Sequence, residues 1–133
     1  MTALVVIDSS AIVAVFRGES DADDLFARAM RYERRAISAS TWLECAIVCE
    51  GKKDEGGGER FDRIAASLAL EVVPFSPQQA VLAREAFKRY GKGRRTKASL
   101  SFGDCFAYAL AKDLGAPLLF KGNDFAQTDI AAA

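Results

Sequence analysis

The sequence contains no histidine among its 133 residues. This absence excludes histidine as a general acid–base, as a metal ligand and as a member of a catalytic triad. Cysteine is scarce, because only Cys45, Cys49 and Cys105 occur, and their spacing indicates neither a disulfide framework nor a zinc site. We therefore expect three small buried hydrophobic side chains in a protein that works in a reducing compartment.

An excess of charge is also missing, since 18 basic residues balance 18 acidic residues and the pI is about 6.3. A globally basic nucleic-acid binder is excluded, but a local basic patch is not. No apolar run suggests a membrane span, and the N-terminal segment lacks the basic start of a signal peptide. Because half of the residues are hydrophobic, we expect one cytoplasmic domain over residues 1–133 with a substantial core.

Apolar runs and helical periodicities alternate along the chain. Leu4–Ile7 is a continuous apolar run typical of a strand buried on both faces. Further strands are predicted at 36–39, 71–75 and 117–120, and 128–130 is a candidate for a fifth strand at the sheet edge. Helices are predicted after Ser9 or Ser10, at 20–31, 41–50 and 59–69, from Pro77 onward, and up to Gly115. This alternation predicts an α/β fold with a small parallel sheet between two layers of helices.

Three acidic residues fall near the carboxyl ends of these strands, and a fourth, Asp104, joins them if the N-terminus of its helix points the same way. Asp8 directly follows the first strand, and Glu44 lies in the first turn of the helix after the second strand. Asp104 lies in the first turn of the helix before the fourth strand, and Asp124 follows that strand by a short turn. Ligands of open α/β sheets bind beyond this edge, so the four carboxylates are candidates for a common site.

Each acid also has a purely structural interpretation. Asp8 can cap the first helix, Asp124 can be a turn residue, and Glu44 and Asp104 each stand three residues after a hydroxyl residue, as in a capping box. Against this, Glu44 precedes Ile47 and Val48 by three and four residues, which suggests a position on the buried stripe of its helix.

Asp104 stands in the same relation to Ala107 and Ala111. Carboxylates on apolar stripes are costly unless a cation compensates them, and hard divalent ions take oxygen ligands. The pattern therefore favours a metal site over four separate structural roles.

Four segments carry a resemblance to a known family: VVIDSSAIVAVF, TWLECAIV, SLSFGDCFAYALAK and PLLFKGNDFAQTDI. In this order and spacing they resemble the acidic segments of PIN-domain nucleases, and most closely those of VapC-type toxins of bacterial toxin–antitoxin pairs. The resemblance covers essentially the whole chain. It implies an α/β/α sandwich and a Mg²⁺- or Mn²⁺-dependent ribonuclease that hydrolyses RNA phosphodiester bonds.

The resemblance also implies site residues and partners. Asp8, Glu44 and Asp104 match the first three acids of the family, and Ser9 matches its hydroxyl residue. Asp124 is our choice for the fourth acid, with Asn123 and Asp129 as lesser candidates. The implied partners are RNA, a second copy of the chain, and a cognate VapB-type antitoxin that places a basic side chain among the acids.

A basic run lies between the predicted fifth and sixth helices. Six cations occur over 88–97 with no acid from 86 to 103, and the residues in its loop are Lys92, Arg94, Arg95 and Lys97. A solvated loop is the usual explanation of such a run, but its position beside Asp104 predicts an RNA-binding surface. Trp42 and Tyr108 are candidates for base stacking, although both side chains more often serve in packing.

Two other functions remain open from the sequence. A receiver-type signalling domain also gathers acids around Mg²⁺ and carries a lysine after a late strand, as Lys121 is here. A catalytically silent RNA-binding PIN module is the second alternative, but the presence of all four acids argues against it.

Overall fold

A computed structural model describes residues 3–51, 55–94 and 97–133 of the chain. Four strands alternate with six helices. The strands are β1 (Leu4–Ile7), β2 (Arg34–Ser38), β3 (Leu70–Val73) and β4 (Leu118–Leu119). The helices are α1 (Ser9–Arg17), α2 (Ala22–Met30), α3 (Ala39–Cys49), α4 (Gly57–Ser67), α5 (Pro77–Tyr90) and α6 (Phe102–Leu114). The predicted α/β class is confirmed.

All strands pair in parallel, in the order β3-β2-β1-β4. The chain therefore adds β2 and β3 on one side of β1 and then returns to place β4 on the other side. This reversal creates a switch point between β1 and β4, and side chains at the carboxyl ends of these strands border the resulting crevice.

Alternating side chains of the strands face two separate cores. Val5, Ile7 and Ile37 pack with α1, α2, α3 and α4 on one side of the sheet. Val6 and Ala36 pack with α5 and α6 on the other side. The three-layer sandwich is therefore observed, and the three cysteines are buried in it as predicted. No helix in the described ranges is long and apolar enough to span a membrane.

Element boundaries differ from the sequence prediction at two strands. Strand β2 begins at Arg34, two residues before the predicted start, because Arg34 and Arg35 pair with Leu4 and Val5 of β1 although both are charged. The fifth strand expected at 128–130 is absent, and a single parallel bridge from Ala132 to Leu118 lies beside β4 instead. The predicted end of α6 at Gly115 is confirmed, since this glycine adopts a left-handed φ of 60°.

The Arg35 side chain holds three elements together. Its guanidinium donates to the carbonyl oxygens of Ala29 at 3.1 Å, Tyr32 at 2.6 Å and Leu68 at 2.5 Å. These carbonyls belong to the end of α2, the turn after it and the residue that ends α4. The planar guanidinium donates in several fixed directions at once and so suits this arrangement. A lysine ammonium is a compact point charge and cannot reproduce this geometry.

Replacing Arg35 by methionine should lower the free energy of unfolding by about 2–4 kcal/mol, because buried carbonyls lose charge-assisted hydrogen bonds. The neighbouring Arg34 is the matched control: it pairs with Glu71 at 2.7 Å, but its side chain is 60% exposed. Arg34→Met should cost much less, because an exposed ion pair contributes little to stability. Urea unfolding of both variants measures the difference, and equal losses would contradict the role given to Arg35.

Candidate active site

Asp8 lies at the switch point of the sheet, directly after β1. Its backbone N–H donates to the carbonyl of Leu119 at the end of β4, and its side chain caps α1. One carboxylate oxygen, Oδ2, accepts from the backbone N–H of Ser10 at 3.0 Å and from the Ser10 hydroxyl at 2.7 Å. The capping interpretation is therefore correct for Asp8, but it accounts for only one of its two oxygens.

The other oxygen of Asp8 is the exceptional atom of the site. Asp8 is only 1% exposed, and its Oδ1 has no hydrogen-bond partner in the described part of the chain. Buried carboxylate oxygens are normally paired, because leaving one without a partner is costly. Burial raises the pKa of Asp8 to about 7, and the nearby charges of Asp104 and Glu44 also raise it.

Asp104 is the third residue of α6 and belongs to the capping box at the start of this helix. Its Oδ2 accepts from the Ser101 N–H at 2.9 Å, and its own N–H donates to the Ser101 hydroxyl, so the predicted capping box is present. Burial nevertheless raises the pKa of Asp104, and Asp124 and Glu44 raise it further through their charges. The cap holds this carboxylate at the start of α6, where the other acids influence it.

Glu44 reaches the same place from α3. The sequence prediction placed it on a buried stripe with Ile47 and Val48, and this was wrong: Ile47 is 64% exposed and Val48 38% exposed. The buried face of α3 consists of Thr41, Cys45, Ala46 and Cys49. Helix α3 carries apolar residues on all of its faces, so hydrophobic periodicity could not identify the face that is buried.

The contact that positions Glu44 is with glycine. A Cβ atom built on Gly103 would lie 2.7 Å from Oε2 of Glu44, so the carboxylate rests against the backbone of α6. Helix α3 begins at Ala39 with Ser38 as its cap, so the capping box considered for Glu44 does not form. Glu44 thus has no capping role, and its charge acts on both Asp8 and Asp104.

The fourth acid lies in the loop after β4. Asp124 is exposed, and its charge raises the pKa of Asp104. Asn123, the proposed supporting residue, is exposed in the same loop. Asp129 belongs elsewhere, since it accepts from the Tyr108 hydroxyl and pairs with Lys112 at 2.8 Å. Although burial opposes it, these hydrogen bonds keep the pKa of Asp129 below its usual value. Asp124 therefore remains the better candidate.

The hydroxyl that contacts Asp8 is Ser10, which the sequence prediction had considered only as a helix cap. Ser10 Oγ donates to Asp8 and also accepts from the backbone N–H of Lys121 at 2.9 Å. Ser9, the predicted supporting residue, is the first residue of α1. The signal that could have identified Ser10 is its position two residues after Asp8, where a side chain and an N–H can both turn back to a capping carboxylate.

The four residues Asp8, Glu44, Asp104 and Asp124 are called the acid cluster below. Within the described ranges, no three acidic or thiol side chains converge closely enough to enclose an ion as they stand. Asp104 is turned toward its cap and Asp124 is exposed, as expected for carboxylates that repel one another. The fold thus brings the four acids close enough to influence one another electrostatically.

Of the predicted RNA-binding residues, Lys92, Arg94 and Lys97 are exposed, and Arg95 lies outside the described residues. The packing interpretation is confirmed for both aromatic candidates. The ring of Trp42 packs against Phe61 with centroids 5.8 Å apart, and Tyr108 is only 4% exposed.

Comparison with known proteins gives a consistent result. Residues 5–131 match the PIN domain family. Ribonuclease VapC of Mycolicibacterium smegmatis is 46% identical over 127 residues, which cover 96% of this chain and 98% of that protein. The chain therefore belongs to the PIN-domain family, in which its relatives are VapC ribonucleases.

Solved structures share the fold at low identity. Mycobacterium tuberculosis VapC20, a sarcin–ricin loop cleaving toxin, matches with a TM-score of 0.75 and 16% identity, covering 97% of this chain and 98% of that chain. A toxin–antitoxin complex from Klebsiella pneumoniae matches with a TM-score of 0.72 and 22% identity, covering 97% and 96%. Both matches extend over the whole sandwich.

The raised pKa of Asp8 predicts an unusual pH dependence of stability. Between the unfolded pKa of 3.8 and the folded pKa of about 7, the native state holds a proton that the unfolded chain has lost. In EDTA, the free energy of unfolding should therefore fall as pH rises through this range, by up to about 4 kcal/mol at about 1.4 kcal/mol per pKa unit.

Asp8→Asn should abolish most of this fall, so the variant should be more stable than the parent at pH 8 and much closer to it at pH 4. Asp62→Asn, which changes an exposed carboxylate on α4, is the control and should follow the parent. Chemical denaturation at several pH values gives the comparison. Parallel curves for parent and Asp8→Asn would show that this carboxylate is not strained.

Proposed function

We propose that the chain is a metal-dependent endoribonuclease and that its acid cluster holds Mg²⁺ or Mn²⁺. The observation that carries the proposal is the buried Oδ1 of Asp8, which lacks a partner and lies within the electrostatic influence of Glu44 and Asp104. The donor set contains only oxygen atoms, as these hard cations prefer, and histidine ligands are not needed. The residues present therefore fit the ion.

Each side chain has a distinct part in this arrangement. Ser10 holds one oxygen of Asp8, so that the other is directed away from the α1 cap. Asp104 and Glu44 supply oxygens from the start of α6 and from α3, and Asp124 supplies a fourth from the loop. When bound, a divalent ion supplies Lewis-acid activation of water and neutralises charge on the phosphate. The acid cluster by itself repels phosphate, so productive binding of substrate requires a cation that neutralises the carboxylates.

RNA is the proposed substrate because the curated relatives of this chain are named ribonucleases. The exposed cations Lys92, Arg94 and Lys97 precede α6, which carries Asp104, and they provide a surface for phosphates. The receiver-type alternative loses its main support, since Lys121 Nζ is held by Glu19 and Asp21. The protein would act in the cytoplasm, where its RNA substrates are found.

The proposed partners are a second copy of the chain and a VapB-type antitoxin, as the structural likeness to a toxin–antitoxin complex suggests. An exposed apolar face supports such contacts. Leu43, Ile47 and Val48 line a groove of about 440 Å³ between α3 and the start of α6. Leu43 is 54% exposed and Ile47 64% exposed, which is unfavourable in an isolated domain. We assign this face to the homodimer.

Nuclease activity should require both a divalent ion and the acid cluster. Purified chain should cleave single-stranded RNA in Mg²⁺ or Mn²⁺, and EDTA should stop the reaction. Asp8→Asn and Asp104→Asn should each lower kcat/KM by about 100-fold or more, or roughly 3 kcal/mol in barrier. Each asparagine keeps the oxygen that accepts the capping hydrogen bond, so the charge is removed while the cap is retained.

Asp62→Asn serves again as the control and should leave cleavage unchanged. Circular dichroism and thermal melting verify that the site variants are folded. Near-normal activity in either Asp8→Asn or Asp104→Asn would refute the metal assignment, and activity that persists in EDTA would refute metal dependence.

The dimer assignment can be tested with one charge. Ile47→Glu should weaken self-association at least tenfold, because a charge buried without a partner in an interface is strongly unfavourable. Val81→Glu is the matched control, since Val81 is equally exposed at 65% but lies on α5 and does not line the groove beside α3. Sedimentation equilibrium measures the dissociation constant of the dimer for both variants. Unchanged association of Ile47→Glu would place the dimer interface on another face.

A further inference from the structure

The most exposed large apolar side chain among the described residues is Phe102, at 79% exposure. It occupies the first position of α6, between the cap residue Ser101 and Gly103. Its ring meets Phe106 edge-on with centroids 4.9 Å apart, and Phe106 meets Phe75 in the same way at 4.8 Å. Three aromatic rings thus form a row that begins at Phe102 and ends beside β3.

Positive charge accompanies this row on one side only. A groove of about 830 Å³ is lined by the three rings and by Arg84, Lys88 and Arg94, and no acidic residue is among its described lining residues. The guanidinium of Arg94 lies 5.6 Å from the ring centroid of Phe87, which also lines the groove. We call this surface the aromatic–basic groove.

The groove on the other side of Phe102 has a different character. Its described lining residues are mainly apolar and include Glu44 but no cation. Charge therefore distinguishes the two grooves. An apolar partner suits the groove beside α3, whereas a polyanion with flat apolar groups suits the aromatic–basic groove.

Phe102 connects the aromatic–basic groove with the acid cluster, because it also lines the neighbouring groove, which contains Glu44. Phe102 is followed by Gly103, against which Glu44 rests, and then by Asp104. Phe102 and Asp104 both lie in the first turn of α6, but side chains two residues apart leave a helix on different sides. A strand that crosses the N-terminal end of α6 can therefore place a phosphate at the acid cluster on one side and an adjacent base against Phe102 on the other.

We infer that the aromatic–basic groove is a binding subsite for single-stranded RNA, in which Phe102 stacks on an unpaired base next to the cleaved phosphate. Arg84, Lys88 and Arg94 bind the phosphates that follow. Aromatic rings beside a basic track are the general means by which proteins hold single strands, and stacking tolerates any base. The inference rests on the proposed ribonuclease function and adds the path that the substrate takes away from the site.

Binding and cleavage are measured separately. A fluorescein-labelled single-stranded RNA of twelve nucleotides is titrated with protein in EDTA, where anisotropy reports binding without cleavage. Phe102→Ala should weaken binding about tenfold, which is within the range of one lost base stack. Phe102→Trp should bind at least as well as the parent, because a larger ring stacks better. Phe102→Leu should resemble alanine, because it is apolar but cannot stack.

Val81→Ala is the matched control, as an equally apolar exposed side chain outside both grooves, and should bind RNA normally. Arg94→Ala should also reduce the slope of log Kd against log salt by about 0.7, the value for one phosphate contact of a single strand. Sedimentation of each Phe102 variant shows whether the dimer is intact.

The outcomes separate this inference from the proposed function. Unchanged RNA affinity in Phe102→Ala, or full recovery in Phe102→Leu, would overturn the stacking subsite. So would a loss of dimer in Phe102→Ala with RNA affinity per protomer unchanged, because Phe102 would then serve a protein contact. If the parent binds RNA through Phe102 but does not cleave it with Mg²⁺ or Mn²⁺, the subsite stands and the nuclease proposal fails.

Discussion

The buried carboxylate of Asp8 is the constraint on which the site depends. The fold places this side chain at the junction of β1 and β4, where it is almost fully removed from water. A charge in such a position is unfavourable unless something compensates it, and Ser10 compensates only one oxygen. The strain has two possible releases, a proton or a cation. The proposed metal site would exchange this proton for an ion, and this exchange would connect the stability of the protein with its metal affinity and with pH.

Structural and chemical roles are combined in the same few groups. Asp8 and Asp104 each cap a helix with one oxygen, and this use fixes their positions in the folded chain. Ser10 connects the Asp8 carboxylate to the backbone of Lys121, and Lys121 Nζ pairs with Glu19 and Asp21 beyond α1. The loop that carries Asp124 is thus attached to the strand that carries Asp8. Hydrogen bonds and ion pairs of neighbouring side chains thus hold Asp8 and the Asp124 loop close together, although they are far apart in the sequence.

Much of the fold, and the approach of the four acids to one another at one edge of the sheet, could be predicted from the sequence, because strands and caps are local patterns. The four-residue apolar run, the Ser101–Asp104 box and the glycine at the end of α6 each report on a few neighbouring residues. The inner face of α3 could not be predicted, since Leu43, Ile47 and Val48 are as apolar as its buried residues and only tertiary packing decides between them. The burial of Arg35 could not be predicted either, because it depends on carbonyls from the end of α2, the turn after it and the end of α4.

The distribution of charge explains why a protein with no net charge can act on a polyanion. Four carboxylates near the β1–β4 junction repel phosphate, so affinity must come from cations that stand apart from them. In the proposed aromatic–basic groove, Arg84, Lys88 and Arg94 provide such cations, while the groove beside α3 has none among its described lining residues. On this proposal, substrate approaches from the side of the aromatic–basic groove, and the groove beside α3 is left for contacts between proteins. The start of α6 separates the two grooves, and the exposed ring of Phe102 at that position lines both of them.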